Sequence, residues 1–169
     1  MHARPFIDSL DFARNCQEIS GKVQIAELPR LLDMLENPQG ILSYTVQGVV
    51  DRQGSPALDV SIAGGCQLLC QRCLGGLDYS IKIETRLLLR NQAGMDALDD
   101  TVAGKEEVEF DSILADVHLD VLDLLEEEIL LSLPIAPKHE FGDCRAVDGK
   151  NAREEEQHPF AVLAKLKRN

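Results

Sequence analysis

The stretch "ILSYTVQGVVDRQGSPALDVSIAGGCQLLCQRCLGGLDYSIKIETRLLLR", residues 41–90, decides the fold. "ILSYTVQGVVD" (41–51) and "ALDVSIAG" (57–64) alternate apolar and polar residues on either side of "RQGSP". That is the pattern of two half-buried antiparallel strands joined by a turn. "LDYSIKIETRLLLR" (77–90) predicts a third strand of the same kind. Between the second and third strands, "GGCQLLCQRCLGG" (64–76) places three cysteines within eight residues and brackets them with glycine pairs. The cysteines are therefore expected on a turn at one end of a β-meander.

Upstream, "DSLDFARNCQ" (8–17) predicts a short helix with Asp8 or Ser9 as its N-cap and Leu10 or Phe12 facing inward. "KVQI" (22–25) alternates as a short strand, and "AELPRLLDMLEN" (26–37) predicts a second helix, with Pro29 in its first turn and "NPQG" as its stop. Downstream, residues 96–109 are acidic and poor in apolar side chains, which predicts a solvated loop. "EVEF" (107–110) and "ADVHL" (115–119) are candidate short strands. "DVLDLLEEEILLSL" (120–133) is the clearest helix, capped by Asp120 and ended by Pro134. Leu122, Leu125, Ile129 and Leu133 form one stripe at helical spacing, with Leu124 and Leu131 on the opposite side. A helix apolar on two sides is sandwiched in its own protein or offers one side to a partner. Residues 138–157 read as an irregular segment, and 158–168 as a short amphipathic helix with Phe160, Leu163 and Leu166 on one face and a basic tip of Lys165, Lys167 and Arg168.

The chain has 169 residues, 44% of them hydrophobic, which suits one core and hence a single domain over 1–169. The expected class is α+β: an antiparallel, barrel-like sheet with short N-terminal helices, one longer central helix and an irregular C-terminal tail. Aromatic residues make up 4% and Trp is absent, so side chains for stacking on bases are scarce. The net charge of −12 opposes a broad phosphate-binding surface and favours a basic protein partner. The N-terminus has no apolar signal region and no run long enough to span a membrane, which predicts a cytoplasmic protein without membrane contact. In that compartment five cysteines stay mostly reduced, so clustered ones point to metal or thiol chemistry.

Cys70-Gln-Arg-Cys73 has the gap that lets two thiolates from one tight turn bind a single tetrahedral ion. A structural zinc site needs two further ligands, and His139 and Cys144 in the irregular segment have the right chemistry for a Cys₃His set. Cys66 is a substitute ligand or a small packed residue at the end of its strand. A thiol-redox pair needs a helix N-terminus after a strand, whereas strands flank this pair on both sides. A turn whose cysteines bind nothing is the remaining alternative.

Glu126, Glu127 and Glu128 invite an acid/base role, but with no histidine or nucleophile at helical spacing they are expected on a solvated face, Glu126 at the edge of the apolar stripe. His118 and His158 are expected to be structural, and His2 is terminal. The chain contains no G-x-S-x-G, phosphate loop or G-x-G-x-x-G motif, which favours a non-enzymatic role without a small-molecule substrate.

Taken in order, "LLCQRCLGGL", "DLLEEEILLSLPIAPKHE" followed by Cys144, and "HPFAVLAKLKRN" resemble the bacterial YceD family, the large ribosomal RNA subunit accumulation proteins. "LDFARN", "IAELPRLLDML" and "PALDVSI" stand in the order that resemblance expects. It implies a cytoplasmic role in the synthesis, processing or stability of large-subunit ribosomal RNA, with no established catalytic residues. Cys70 and Cys73 match the family's cysteine motif, and His139 and Cys144 the later pair; some relatives carry a fuller cysteine set near the C-terminus. With a charge of −12, such a factor is expected to work through a basic ribosomal or ribosome-assembly protein, touching ribosomal RNA directly or indirectly. The alternative function is a zinc-stabilised RNA-binding module, and a thiol-redox enzyme ranks below both.

Overall fold

The computed structural model describes residues 4–101, 110–141 and 143–144, without the side chains of 98–101. In chain order the elements are β1 (Phe6–Ile7), α1 (Ser9–Arg14), β2 (Glu18–Gln24), two 3₁₀ turns (Ile25–Glu27 and Leu32–Met34), β3 (Leu35–Asn37), β4 (Ile41–Val50), β5 (Pro56–Leu69), β6 (Gly76–Arg90), α2 (Gln92–Thr101), β7 (Asp111–Leu114), β8 (Leu119–Asp120) and α3 (Val121–Ser132).

The three strands read from 41–90 build the centre of the sheet. β4 pairs antiparallel with β5 from Leu42↔Gly64 to Val50↔Pro56, and β5 with β6 from Ala57↔Leu88 to Leu69↔Gly76. β2 lies antiparallel outside β4, and β7 runs parallel to β6 at the far edge. β3 pairs with β5 beyond the point where β4 begins, so β3 and β4 are two pieces of one flank interrupted at Pro38–Gly40. β1 and β8 form a separate two-stranded ribbon. The order β2-β4-β5-β6-β7 is open, which corrects the barrel-like expectation: the two end strands do not pair with each other, and one of them is parallel.

Alternation decides the core. Leu42, Tyr44 and Val46 of β4, Leu58, Val60 and Ile62 of β5, and Ile81, Ile83, Leu87 and Leu89 of β6 point to one face and are buried. Phe12 and Ala13 of α1, the 3₁₀ residues Ile25, Leu28 and Leu31, and the α3 residues Val121, Leu122, Leu124, Leu125 and Ile129 complete the cluster. In α3 both apolar sides are used at the N-terminal end, where Leu124 is also buried, but Leu131 is 75% exposed. Asp120 caps α3 as expected, accepting from the Leu122 and Asp123 amides.

α1 begins at Ser9 with Asp8 as its cap, and it sits directly on β4 at Gly48. A Cβ there would strike the Phe12 carbonyl and come within 2.7 Å of the Ala13 Cα, both backbone atoms. Gly48→Ala should therefore cost about 2–3 kcal/mol by overpacking, measured as a lowered urea midpoint with an unchanged m-value. A midpoint equal to the parent's would mean that α1 is not seated there.

Two local expectations fail. Residues 26–37 do not form an α-helix but two 3₁₀ turns running into β3. Pro29 has no amide to donate, the Arg30 amide donates to the Glu126 carboxylate, and the Leu31 amide is shared between that carboxylate and the Leu28 carbonyl at 3.2 Å, a 3₁₀ bond that does not propagate an α-helix. The acidic segment 96–109 is helical in its first part, as the continuation of α2 to Thr101; 102–109, and so most of "EVEF", lie outside the described residues. The added strand is 111–114, between the two candidates. The predicted C-terminal helix 158–168 also lies outside the described residues, and the described part of 138–157 has no helix or strand.

Candidate metal centre

β5 and β6 meet in the turn 70–75. The Cys70 amide donates to the Gly75 carbonyl at 2.9 Å and the Leu74 amide to the Cys70 carbonyl at 2.9 Å, folding the chain so tightly that Leu74 takes φ 57°. This closure aims the Cys70 and Cys73 thiols the same way. After α3, Pro134 ends the helix and the chain returns along the turn, where the Gln71 amide donates to the Pro137 carbonyl at 2.9 Å. The return brings His139 and Cys144 to the two turn cysteines.

The ligand atoms of Cys70, Cys73, His139 and Cys144 all lie within 4.8 Å of one another. Cys70 Sγ and Cys144 Sγ are 3.8 Å apart, and His139 Nδ1 is 3.4 Å from Cys73 Sγ and 3.7 Å from Cys144 Sγ. Zinc–sulfur bonds of about 2.3 Å and zinc–nitrogen bonds of about 2.0–2.1 Å at tetrahedral angles give edges of about 3.8 Å for sulfur to sulfur and about 3.6 Å for sulfur to nitrogen. The three measured separations match those edges, so the four residues can hold a metal ion with little movement. A disulfide is ruled out for this geometry, since it needs sulfurs at about 2.05 Å, and all five cysteines are free.

The surroundings prepare the donors. His139 Nε2 donates to the Gly76 carbonyl at 2.9 Å, which leaves Nδ1 facing the thiols, the usual outer-shell device of a metal-binding histidine. Cys70 is fully buried; burial pushes its thiol up, but the amides of Cys73, Arg72 and His139 and then the Cys73 thiol outweigh this and hold it at about 5. The His139 imidazole is raised by Cys144 first, then by Cys70 and the Gly76 carbonyl, and the Cys73 thiol is raised as well, so a metal would have to displace protons from both. A thiolate at Cys70 is the form a metal needs. Cys70 itself is not an accessible nucleophile, because its side chain is wholly buried, whereas Cys73 and Cys144 are half-buried.

Cys66 does not belong to the group. It sits within β5, packed in the core, where burial raises its thiol. His118 lies at the surface with its ring 6.1 Å from that of Phe6, and His158 and His2 lie outside the described residues. Arg72, within the Cys-x₂-Cys turn, was not singled out by spacing, yet its Nε donates to Cys144 Sγ at 3.0 Å and its other nitrogen to the His139 and Glu140 carbonyls. Glu126 corrects another expectation. Its side chain is 2% exposed, and Oε1 accepts from the Arg30 amide at 2.6 Å and the Leu31 amide at 3.1 Å, while Oε2 accepts from Arg30 Nε at 3.0 Å. The partners that make this burial tolerable come from 95 and 96 residues away, beyond any local pattern.

The family model described as "Large ribosomal RNA subunit accumulation protein YceD" matches residues 58–167. The chain belongs to the YceD family. The matched region starts inside β5 and takes in the cysteine turn, α3 and both distal candidate ligands. A Haemophilus influenzae protein carrying the same YceD description is 27% identical over 168 residues, covering 95% of this chain and 94% of its own. No solved structure gives a significant match.

Proposed function

We propose that this chain is a non-enzymatic factor for the accumulation of large-subunit ribosomal RNA, acting in the cytoplasm during ribosome assembly. Full-length similarity to a YceD protein is the observation that carries this reading. In it, Cys70, Cys73, His139 and Cys144 bind one structural zinc ion, which would supply cross-linking and no reaction step, fastening the segment after α3 to the β5–β6 turn. The net charge of −12 points the activity toward a basic ribosomal or assembly protein, with RNA affected through that protein. The fully exposed Ile135 and Phe141, together with Leu131 and the acidic Glu140 and Asp143, offer such a partner apolar anchors in an acidic setting.

Deleting the gene should lower large-subunit ribosomal RNA relative to small-subunit ribosomal RNA, measured as the ratio of the mature species, and the intact gene should restore it. An unchanged ratio would end the proposal. Capture of the tagged protein from extract should recover a basic protein both before and after nuclease treatment. Recovery of RNA alone, lost on nuclease treatment, would replace the protein-partner route with direct RNA binding.

A further inference from the structure

The structure assigns Arg72 the role of positioning residue for the metal centre: one guanidinium holds the distant ligands against the turn and balances the charge of the loaded site. This rests on the zinc reading above. Cys70 and Cys73 are placed by a turn closed through its own backbone. His139 and Cys144 lack such a frame, since the described residues of their segment form no helix or strand. Arg72 supplies one. Its Nε–H donates to Cys144 Sγ at 3.0 Å, and its terminal nitrogen donates to the carbonyls of His139 at 2.9 Å and Glu140 at 3.2 Å. A single rigid plane thus fixes the thiolate of one ligand and the backbone of the other.

Charge adds a second reason. Three thiolates and a neutral imidazole around a divalent ion leave a net charge of −1, and the guanidinium cancels it at the sulfur that is farthest in sequence from the turn. Lysine would bring the charge but not the fork that reaches a sulfur and two carbonyls together. The Gln71 amide on the Pro137 carbonyl and His139 Nε2 on the Gly76 carbonyl help to hold the returning chain, but neither touches Cys144.

The test compares the full chain with Arg72→Ala and Arg72→Lys, using zinc alone as ligand in competition with a chromophoric chelator. Arg72→Ala should still bind one zinc at saturation but with affinity lowered about 10–100-fold, the usual effect of losing an outer-shell partner, and Arg72→Lys should fall between it and the parent. With cobalt in place of zinc, the thiolate-to-metal absorption should move to lower energy in Arg72→Ala, because the Cys144 thiolate has lost a donor. The melting difference between parent and Arg72→Ala should be larger with zinc than with chelator, whereas a residue that merely holds the loop would lower both alike. Parent-like zinc affinity and an unmoved cobalt spectrum in Arg72→Ala would overturn this role while leaving the zinc site standing. A parent protein that takes up no zinc would overturn both.

Discussion

Replacing Glu126 by alanine should destabilise the protein by about 2–4 kcal/mol. The substitution strips the acceptor from the Arg30 amide and one of two acceptors from the Leu31 amide, which keeps the Leu28 carbonyl, and it leaves a void between α3 and the 3₁₀ turns. The Arg30 amide left without a partner costs about 1–3 kcal/mol, before any cavity is counted. The ion pair itself adds little, because the Arg30 side chain is 46% exposed and also has Asp123 to bind. Glu126→Gln keeps the carbonyl oxygen for the amides and should cost roughly 1–2 kcal/mol. Urea unfolding separates the two. If Glu126→Ala loses less than Glu126→Gln, the carboxylate is not the acceptor that organises residues 25–34.

Zinc removal should have the other large effect, and a local one. Binding of a structural zinc is coupled to ordering of the backbone that carries its ligands. Here the core of β4, β5, β6 and α3 is assembled without His139 or Cys144, so the sheet should survive chelation. What should open is the return from Pro137 to Cys144. Treatment with a strong chelator should leave the far-ultraviolet circular dichroism of the sheet nearly unchanged and lower the melting midpoint. Cleavage by trypsin after Lys138 and by chymotrypsin after Phe141 should rise at least about tenfold, as the local opening free energy falls toward zero. Equal cleavage with and without chelator would show that the segment is held by protein contacts alone.

The sheet was legible because its signal is local. Alternation over 41–51, 57–64 and 77–90 fits one register with a buried face, and "RQGSP" marks the first reversal; the second, expected over 64–76, is the shorter turn 70–75, because β5 runs on to Leu69 and takes Cys66 into the sheet. What escaped depends on distant partners. Residues 26–37 have helical spacing, yet Glu126 takes the Arg30 amide and shares the Leu31 amide with the Leu28 carbonyl, across 96 and 95 residues. β7 is parallel to β6, a pairing that needs a crossover and leaves no turn signal, so the sheet could be mistaken for one that closes. The helical start of the acidic segment was hidden by its charge, because Asp96, Asp99 and Asp100 read as solvated loop although "QAGMDALDD" is compatible with a helix. At the cysteine turn, chemistry identified the four candidate ligands, which the fold brings together. The same reasoning passed over Arg72, since an arginine between two cysteines has no meaning until Cys144 is seen beside it.

In the proposed site, one zinc closes Cys70, Cys73, His139 and Cys144 into a structural brace. Elemental analysis of the full chain, purified without chelator or a histidine-rich tag, decides whether it does. The expected result is one zinc per chain, lost in both Cys70→Ser and Cys144→Ser and retained in Cys66→Ser. Substoichiometric metal that zinc supplementation does not raise, or one zinc retained in Cys144→Ser, would contradict it.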